Sequence, residues 1–184
     1  MSDTLKSAET TTTWQIDPAH TDVAFEVKHL MISKVRGRFG AVTGTIHLDP
    51  ADLTASSVEA EIDVTSISTG QEQRDGHLRS ADFFDVEKYP SITFRSTRVE
   101  SAGDDRYRVT GDLTIRDVTR EVVLDTVDEG RGGDPWGGQR AGFSATLKVD
   151  RRDFGLTYNQ VLEAGGVMVG NDIKINLDVQ AVKA

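Results

Sequence analysis

Cysteine is absent from this 184-residue chain, which removes disulfides, thiolate metal sites and cysteine nucleophiles together and leaves the redox compartment open. No apolar run approaches the ~20 residues needed to span a bilayer, so stable membrane insertion is not expected. The opening MSDTLKSAETTTT carries no apolar segment of the kind a secretory signal needs, and the cytoplasm is therefore the expected compartment. Runs of Lys and Arg are missing too. With a net charge of -9 nothing is placed to displace phosphate counterions, which argues against a nucleic-acid partner. A cationic partner would suit that charge, but solubility is its commoner reason. Proline numbers only 4, beside 37% hydrophobic and 28% charged residues, the composition of a soluble globular chain rather than a disordered one.

What the chain does have is alternation. Its length fits one domain, which at this size buries roughly 70% of its extended-chain surface. Residues 1–12 are polar and unpatterned and read as a disordered tail, and a single domain follows over 13–184, with Trp14 and Ile16 the first to dock. Val23, Phe25 and Val27 then share one face of a strand opposite Asp22, Glu26 and Lys28, and His29 continues the apolar face. Val35, Gly37 and Phe39 occupy odd positions, whereas Val42, Gly44, Ile46 and Leu48 occupy even ones, so a bulge or bend at Gly40 must restore the register. Between these strands Leu30, Met31 and Ile32 put apolar residues where a turn should be polar, either packing on the domain or forming the rim of a pocket. Further alternating segments cover Val58–Val64, Ile92–Phe94, Tyr107–Ile115, Ala141–Val149 and Ile173–Ala181. Val122, Val123 and Leu124 are consecutive, and their facing is ambiguous.

The stretch Thr69–Ser96 breaks this pattern. Thr69 with Glu72 three residues later is a capping-box spacing, which predicts a short helical crossover over about residues 71–80. Pro90 demands extended chain at Tyr89, and a strand resumes at Ser91. Phe83, Phe84 and Tyr89 crowd aromatics into this connection, where they either plug one end of the fold or offer a protein contact.

About eight extended segments, dry on one face and joined mostly by short turns, imply antiparallel neighbours in a sheet that must hide its apolar face. Closing into a barrel does so and removes the edge strands. An eight-stranded barrel is either filled by side chains or holds one small ligand, and periodicity does not decide between the two.

Catalytic signals are sparse. His20, His29, His47 and His77 include no pair at helical metal-site spacing, Asp75 and His77 point to different sides of a helix, and no serine sits in a nucleophile elbow. The loop GRGGDPWGG lacks the Gly-Lys-Ser/Thr ending of a phosphate cradle and reads as a hairpin connection. No metal, cofactor or enzyme activity is expected.

The motifs themselves are distinctive: Trp-x-Ile-Asp-x-x-His-Thr at Trp14–Thr21, His29, Gly-x-Phe at Gly37–Phe39, Ser-Ile-x-Thr at Ser66–Thr69, the long run from Asp75 to Phe94, Gly-Asp-Leu-Thr-Ile at Gly111–Ile115, and Arg-x-Asp-Phe-Gly at Arg151–Gly155. In order and spacing the chain resembles the YceI-like family of polyisoprenoid-binding proteins from Trp14 to Val182. That resemblance implies an all-β, extended lipocalin-like fold: an eight-stranded antiparallel β-barrel whose apolar cavity holds a long isoprenoid or similar fatty-chain lipid, with homodimers common. Under this reading the protein is a non-enzymatic carrier. Val23, Phe25, Val27, Phe39, Ile92, Phe94, Leu113, Ile115, Phe143, Leu147, Ile175 and Leu177 are expected to line the cavity. Leu30, Met31 and Ile32 would stand near its opening, and His29 and Arg36 would be candidates for a lipid head group. The alternatives are a solidly packed barrel that binds a protein and, further off, an enzyme for a small apolar substrate.

Overall fold

Period-two alternation becomes extended chain almost wherever it occurs. The computed structural model describes residues 11–160 and 168–184, and its strands form a single antiparallel sheet. They are β1 (Thr12–Ile16), β2 (Asp22–His29), β3 (Ser33–Phe39), β4 (Val42–Leu48), β5 (Ser57–Asp63), β6 (Ile67–Ser68), β7 (Ser91–Gly103), β8 (Arg106–Ile115), β9 (Val118–Gly133), β10 (Gln139–Asp150) and β11 (Asp172–Lys183). Six of these segments are halves of longer strands. A 3-10 turn at Pro18–His20 divides β1 from β2, Gly40 and Ala41 divide β3 from β4, and a 3-10 turn at Val64–Ser66 divides β5 from β6. Because β1 pairs β4 while β2 pairs β3, and β4 pairs β5 while β3 pairs β6, each couple runs as one bent strand. The segments therefore make the eight strands of a closed antiparallel barrel.

Closure falls to β11. Its Lys174–Asp178 stretch pairs β2 and its Ala181–Lys183 stretch pairs β1. At the gap between those partners, the Asp17 N–H donates to the Gln180 carbonyl at 2.8 Å and the Gln180 N–H donates to the Thr21 hydroxyl at 3.2 Å, so the ladder's polar groups stay satisfied. The same corner is tied to the start of β10, since Arg140 Nη1 lies 2.8 Å from Asp17 Oδ2, which also accepts from His20 at 2.7 Å. These partners hold the Asp17 carboxyl down at about 2, Arg140 first and His20 second.

The change of facing expected at Gly40 is the break between β3 and β4, with Phe39 buried on one side and Val42 on the other. Two other glycines answer to close approach. Gly37 lies directly across from Phe25, and a Cβ there would fall 2.3 Å from the ring Cζ. At Gly111 it would fall 2.6 Å from Phe94 Cζ and 2.5 Å from the Arg95 carbonyl. Both rings thus sit against the wall in space a side chain would fill.

The one α-helix among the described residues is α1 (Glu72–Arg79). The long connection that carries it leaves β6 and re-enters at β7, which pairs with β5, so it returns to the strand beside the one it left and lies over one end of the barrel. The capping box does not form. Gln71 is the N-cap and makes no side-chain cap bond, while the Thr69 hydroxyl and N–H both donate to buried Asp75, at 2.5 and 2.9 Å. A carboxylate one turn into the helix accepts more strongly than a neutral partner would, and it pulls Thr69 away from the cap. At the N-terminus, Thr12 already pairs with Leu48, so the domain starts one residue earlier than its composition suggests. The tail expected over 1–12 otherwise lies, through residue 10, outside the described residues.

Candidate functional site

The inner faces of the strands enclose a cavity of about 310 Å³, within the roughly 300–1,000 Å³ typical of small-molecule sites. The alternation that builds the strands also builds its wall. Val23, Phe25 and Val27 of β2 line it, as do Phe39 of β3, Ile92 and Phe94 of β7, Leu113 and Ile115 of β8, Phe143 and Leu147 of β10, and Ile175 and Leu177 of β11. Sequence parity left out other wall residues carrying the same signal, among them Val42 and Ile46 of β4, Ile62 of β5, and Val122 and Leu124 of β9. The ambiguous valine run is thereby resolved, with Val122 and Leu124 inside and Val123 44% exposed.

One end of the cavity lies under the α1 connection. Leu78, Phe83 and Phe84 reach the lining from it, joined by Ile67, Phe154 and Leu156. Aromatic edges knit this end together. The Phe83 ring centroid lies 5.1 Å from His77 and 5.1 Å from Tyr158, and Phe84 meets Phe39 edge-on at 6.0 Å. Tyr89 stays outside the lining, with the Arg116 guanidinium 5.8 Å from its ring. At the opposite end the lining takes in Leu53, Tyr107 and Thr126, and the half-buried Ser56 with the exposed Ser57 marks where the wall reaches solvent.

The charged residue of the lining is Arg151, which opens the Arg-x-Asp-Phe-Gly motif but received no site role from the sequence because it follows β10 in a 3-10 turn without period-two alternation. Its side chain is 4% exposed. Nε donates to the Gly170 carbonyl at 2.8 Å, Nη1 to Leu156 at 2.7 Å and Nη2 to Val169 at 3.4 Å. Burial lowers the pKa of this guanidinium, with the nearby Asp150 charge working the other way. Asp150 itself is engaged by Arg152 and held at about 2. Arg151 is thus a buried cation whose bonding partners are carbonyl dipoles.

Five of the sequence candidates lie elsewhere. His29 shares the odd parity of Val23, Phe25 and Val27, but the wall ends before it; it is half-buried beside Val169, with which its backbone bridges, and it does not reach the lining. Arg36 sits at an even position on β3 and therefore faces out, 77% exposed and 3.2 Å from Glu26. Leu30, Met31 and Ile32 form the β2–β3 hairpin tip and are exposed, outside the lining. As for catalytic chemistry, His20 and His77 are bonded to Asp17 and Asp82, and His47 lies on the outer surface 3.3 Å from Thr13. Among the described residues no group of three or more His, Asp or Glu side chains is arranged to hold a metal ion. What this arrangement supplies is a desolvated, shaped space with a single cation at one end.

A closed eight-stranded antiparallel barrel around an apolar chamber, with a helix over one end, defines a lipocalin-like protein. Comparison with known proteins makes this specific: the YceI-like domain matches residues 14–181, and the chain belongs to that family. A UPF0312 protein of Vibrio cholerae is 44% identical over 138 residues, covering 75% of this chain and 73% of that one. Among solved structures, Burkholderia cenocepacia BcnA superposes with a TM-score of 0.79 at 24% identity, over 90% of this chain and 98% of that one. A polyisoprenoid binding domain from Saccharophagus degradans gives 0.68 at 15% identity, over 95% and 99%. At such identities the two structures speak to the fold alone.

Proposed function

We propose that this protein binds a long-chain isoprenoid, or a similar amphiphilic lipid, in its barrel cavity and carries or sequesters it without chemical change. The observation that carries this reading is a cavity whose wall is aliphatic and aromatic over nearly its whole length, with polar residues confined to its ends. Such a wall recognises length and shape rather than functional groups. Each methylene-sized group transferred into it contributes about 0.8 kcal/mol, so a few isoprene units outweigh the cost of ordering a flexible chain. The name of the Saccharophagus degradans domain, a polyisoprenoid binder of the same fold, supports the choice of ligand.

The test is organic extraction of natively purified protein followed by mass spectrometry. A stoichiometric long-chain lipid is the expected result. If extraction returns none, and a fluorescent lipid probe is not displaced by a long prenol, the carrier reading fails and a packed barrel with a protein partner replaces it.

A further inference from the structure

The β2–β3 hairpin tip combines three locally unfavourable features that the barrel does not need. Leu30 and Met31 both adopt left-handed backbone, at φ of 54° and 62°, a region that hinders side chains with a Cβ and favours glycine or asparagine. Ile32, next in the loop, is 87% exposed, Met31 50% and Leu30 37%. Behind the loop, Lys28 and Lys34 stand directly opposite each other across the two strands, where like charges repel. Arg36 and Arg38 continue the basic row along β3, and Lys34 and Arg36 share the single Glu26 at 3.7 and 3.2 Å while Arg38 lies 3.8 Å from Asp22. The outer face of the hairpin is therefore net positive on a chain whose net charge is -9. Strain of this kind clusters at functional sites, and here it coincides with the exposed apolar tip and the cations behind it.

We propose that this tip docks the protein on an anionic lipid surface, with Leu30, Met31 and Ile32 entering the headgroup boundary and Lys28, Lys34 and Arg36 meeting phosphates. Charge selects the occupant. Exposed apolar residues backed by cations match the two terms of peripheral membrane binding, shallow insertion and attraction to acidic lipids. Three loop residues offer too little area for a second copy of the chain or a protein partner, since stable interfaces bury roughly 1,200–2,000 Å² in total. The acidic remainder of the molecule does not oppose docking, because charges more than about 8–10 Å from the surface are screened at physiological salt. Trp136, 81% exposed on the β9–β10 connection, lacks this character, as the Arg140 guanidinium lies 5.9 Å from its ring and its backbone is held by Asp134.

The experiment is cosedimentation with vesicles of phosphatidylcholine and phosphatidylglycerol in equal parts, against vesicles of phosphatidylcholine alone. Wild-type protein should sediment with the mixed vesicles, less so at high salt, and stay in solution with the neutral ones. Ile32→Asp and the pair Lys28→Glu with Lys34→Glu should each weaken binding by about tenfold or more, at unchanged melting temperature because these side chains are exposed. No sedimentation of the wild type, or equal sedimentation of wild type and both variants, overturns the proposal. So does a wild-type dimer that Ile32→Asp dissociates while neither protein touches vesicles. The inference is independent of the cavity reading: protein that docks but yields no lipid on extraction overturns the carrier alone, and protein that yields lipid but ignores vesicles overturns docking alone.

Discussion

Truncating Phe83 to alanine separates the part of this molecule that covers the cavity from the part that forms its wall. The ring is 7% exposed, edge-on to His77 and Tyr158 at 5.1 Å each, and contributes to the lining. Buried Phe→Ala changes cost about 3–5 kcal/mol, made up of lost transfer energy and the void left behind. The edge contacts, about 0.5–1.5 kcal/mol each, are part of that sum. Here the void opens onto an existing cavity and cannot close by relaxation, so the upper half of the range is expected. For a domain of this size each kcal/mol moves the melting temperature by about 2–4 °C, which predicts a fall of roughly 8–20 °C. Phe83→Leu should cost less than half as much, because most of the volume stays. Thermal unfolding followed by circular dichroism gives the first readout, and the rate at which bound lipid passes to acceptor vesicles gives the second; both should move in Phe83→Ala. A melting temperature within a degree or two of wild type would refute the packing argument. A destabilised protein that keeps its lipid as firmly as wild type would show that the cover does not gate the cavity.

Three further outcomes follow from the same geometry. Gly37→Val places atoms where the Phe25 ring now lies, so the ring should be driven into the lumen at a cost of roughly 1–3 kcal/mol, with lipid capacity reduced in extraction assays. The Asp17 carboxyl falls from an ordinary 3.8 to about 2 on folding; its contribution is complete above the unfolded value and is lost as pH drops through the folded one. Acid titrations of wild type and Asp17→Asn should therefore converge between about pH 4 and pH 2, and parallel curves would deny the Asp17–Arg140 tie a role. Arg151→Met leaves the carbonyls of Leu156, Val169 and Gly170 without their donors, a loss of about 2–5 kcal/mol by chemical denaturation; Arg151→Lys, with one ammonium for three acceptors, should recover less than half.

Strand facing was the most legible feature. From Val23 to Leu177 a residue's parity told which side of the sheet it would face, because a half-buried strand has no other way to satisfy both solvents. Parity also fails in a recognisable way, since it carries His29 onto the inner face but cannot say where the barrel wall stops; for Arg36, named as a head-group candidate, the even position on β3 argued against that role and was not applied. Of the three divided strands, one was visible in the sequence. The slip at Gly40 shows in the sequence, but the turns at Pro18–His20 and Val64–Ser66 interrupt segments whose alternation only pauses there. Arg151 was hidden because its role depends on carbonyls from residues 156, 169 and 170, a relation fixed by tertiary folding rather than spacing. The capping box misled for a related reason, as Thr69 had a second acceptor in Asp75 that competes with the helix start.

The return of the chain to β7 beside β5 bears on how this architecture varies. Two neighbouring antiparallel strands need only a tight turn, so everything between β6 and β7 is surplus to the strand order. It meets the barrel through the side chains of Leu78, Phe83 and Phe84 rather than through a strand ladder. Under the carrier reading the barrel is a bottle and residues 69–90 its stopper, so the side chains that reach inward from this one connection set how far a ligand can extend, independently of the strand order.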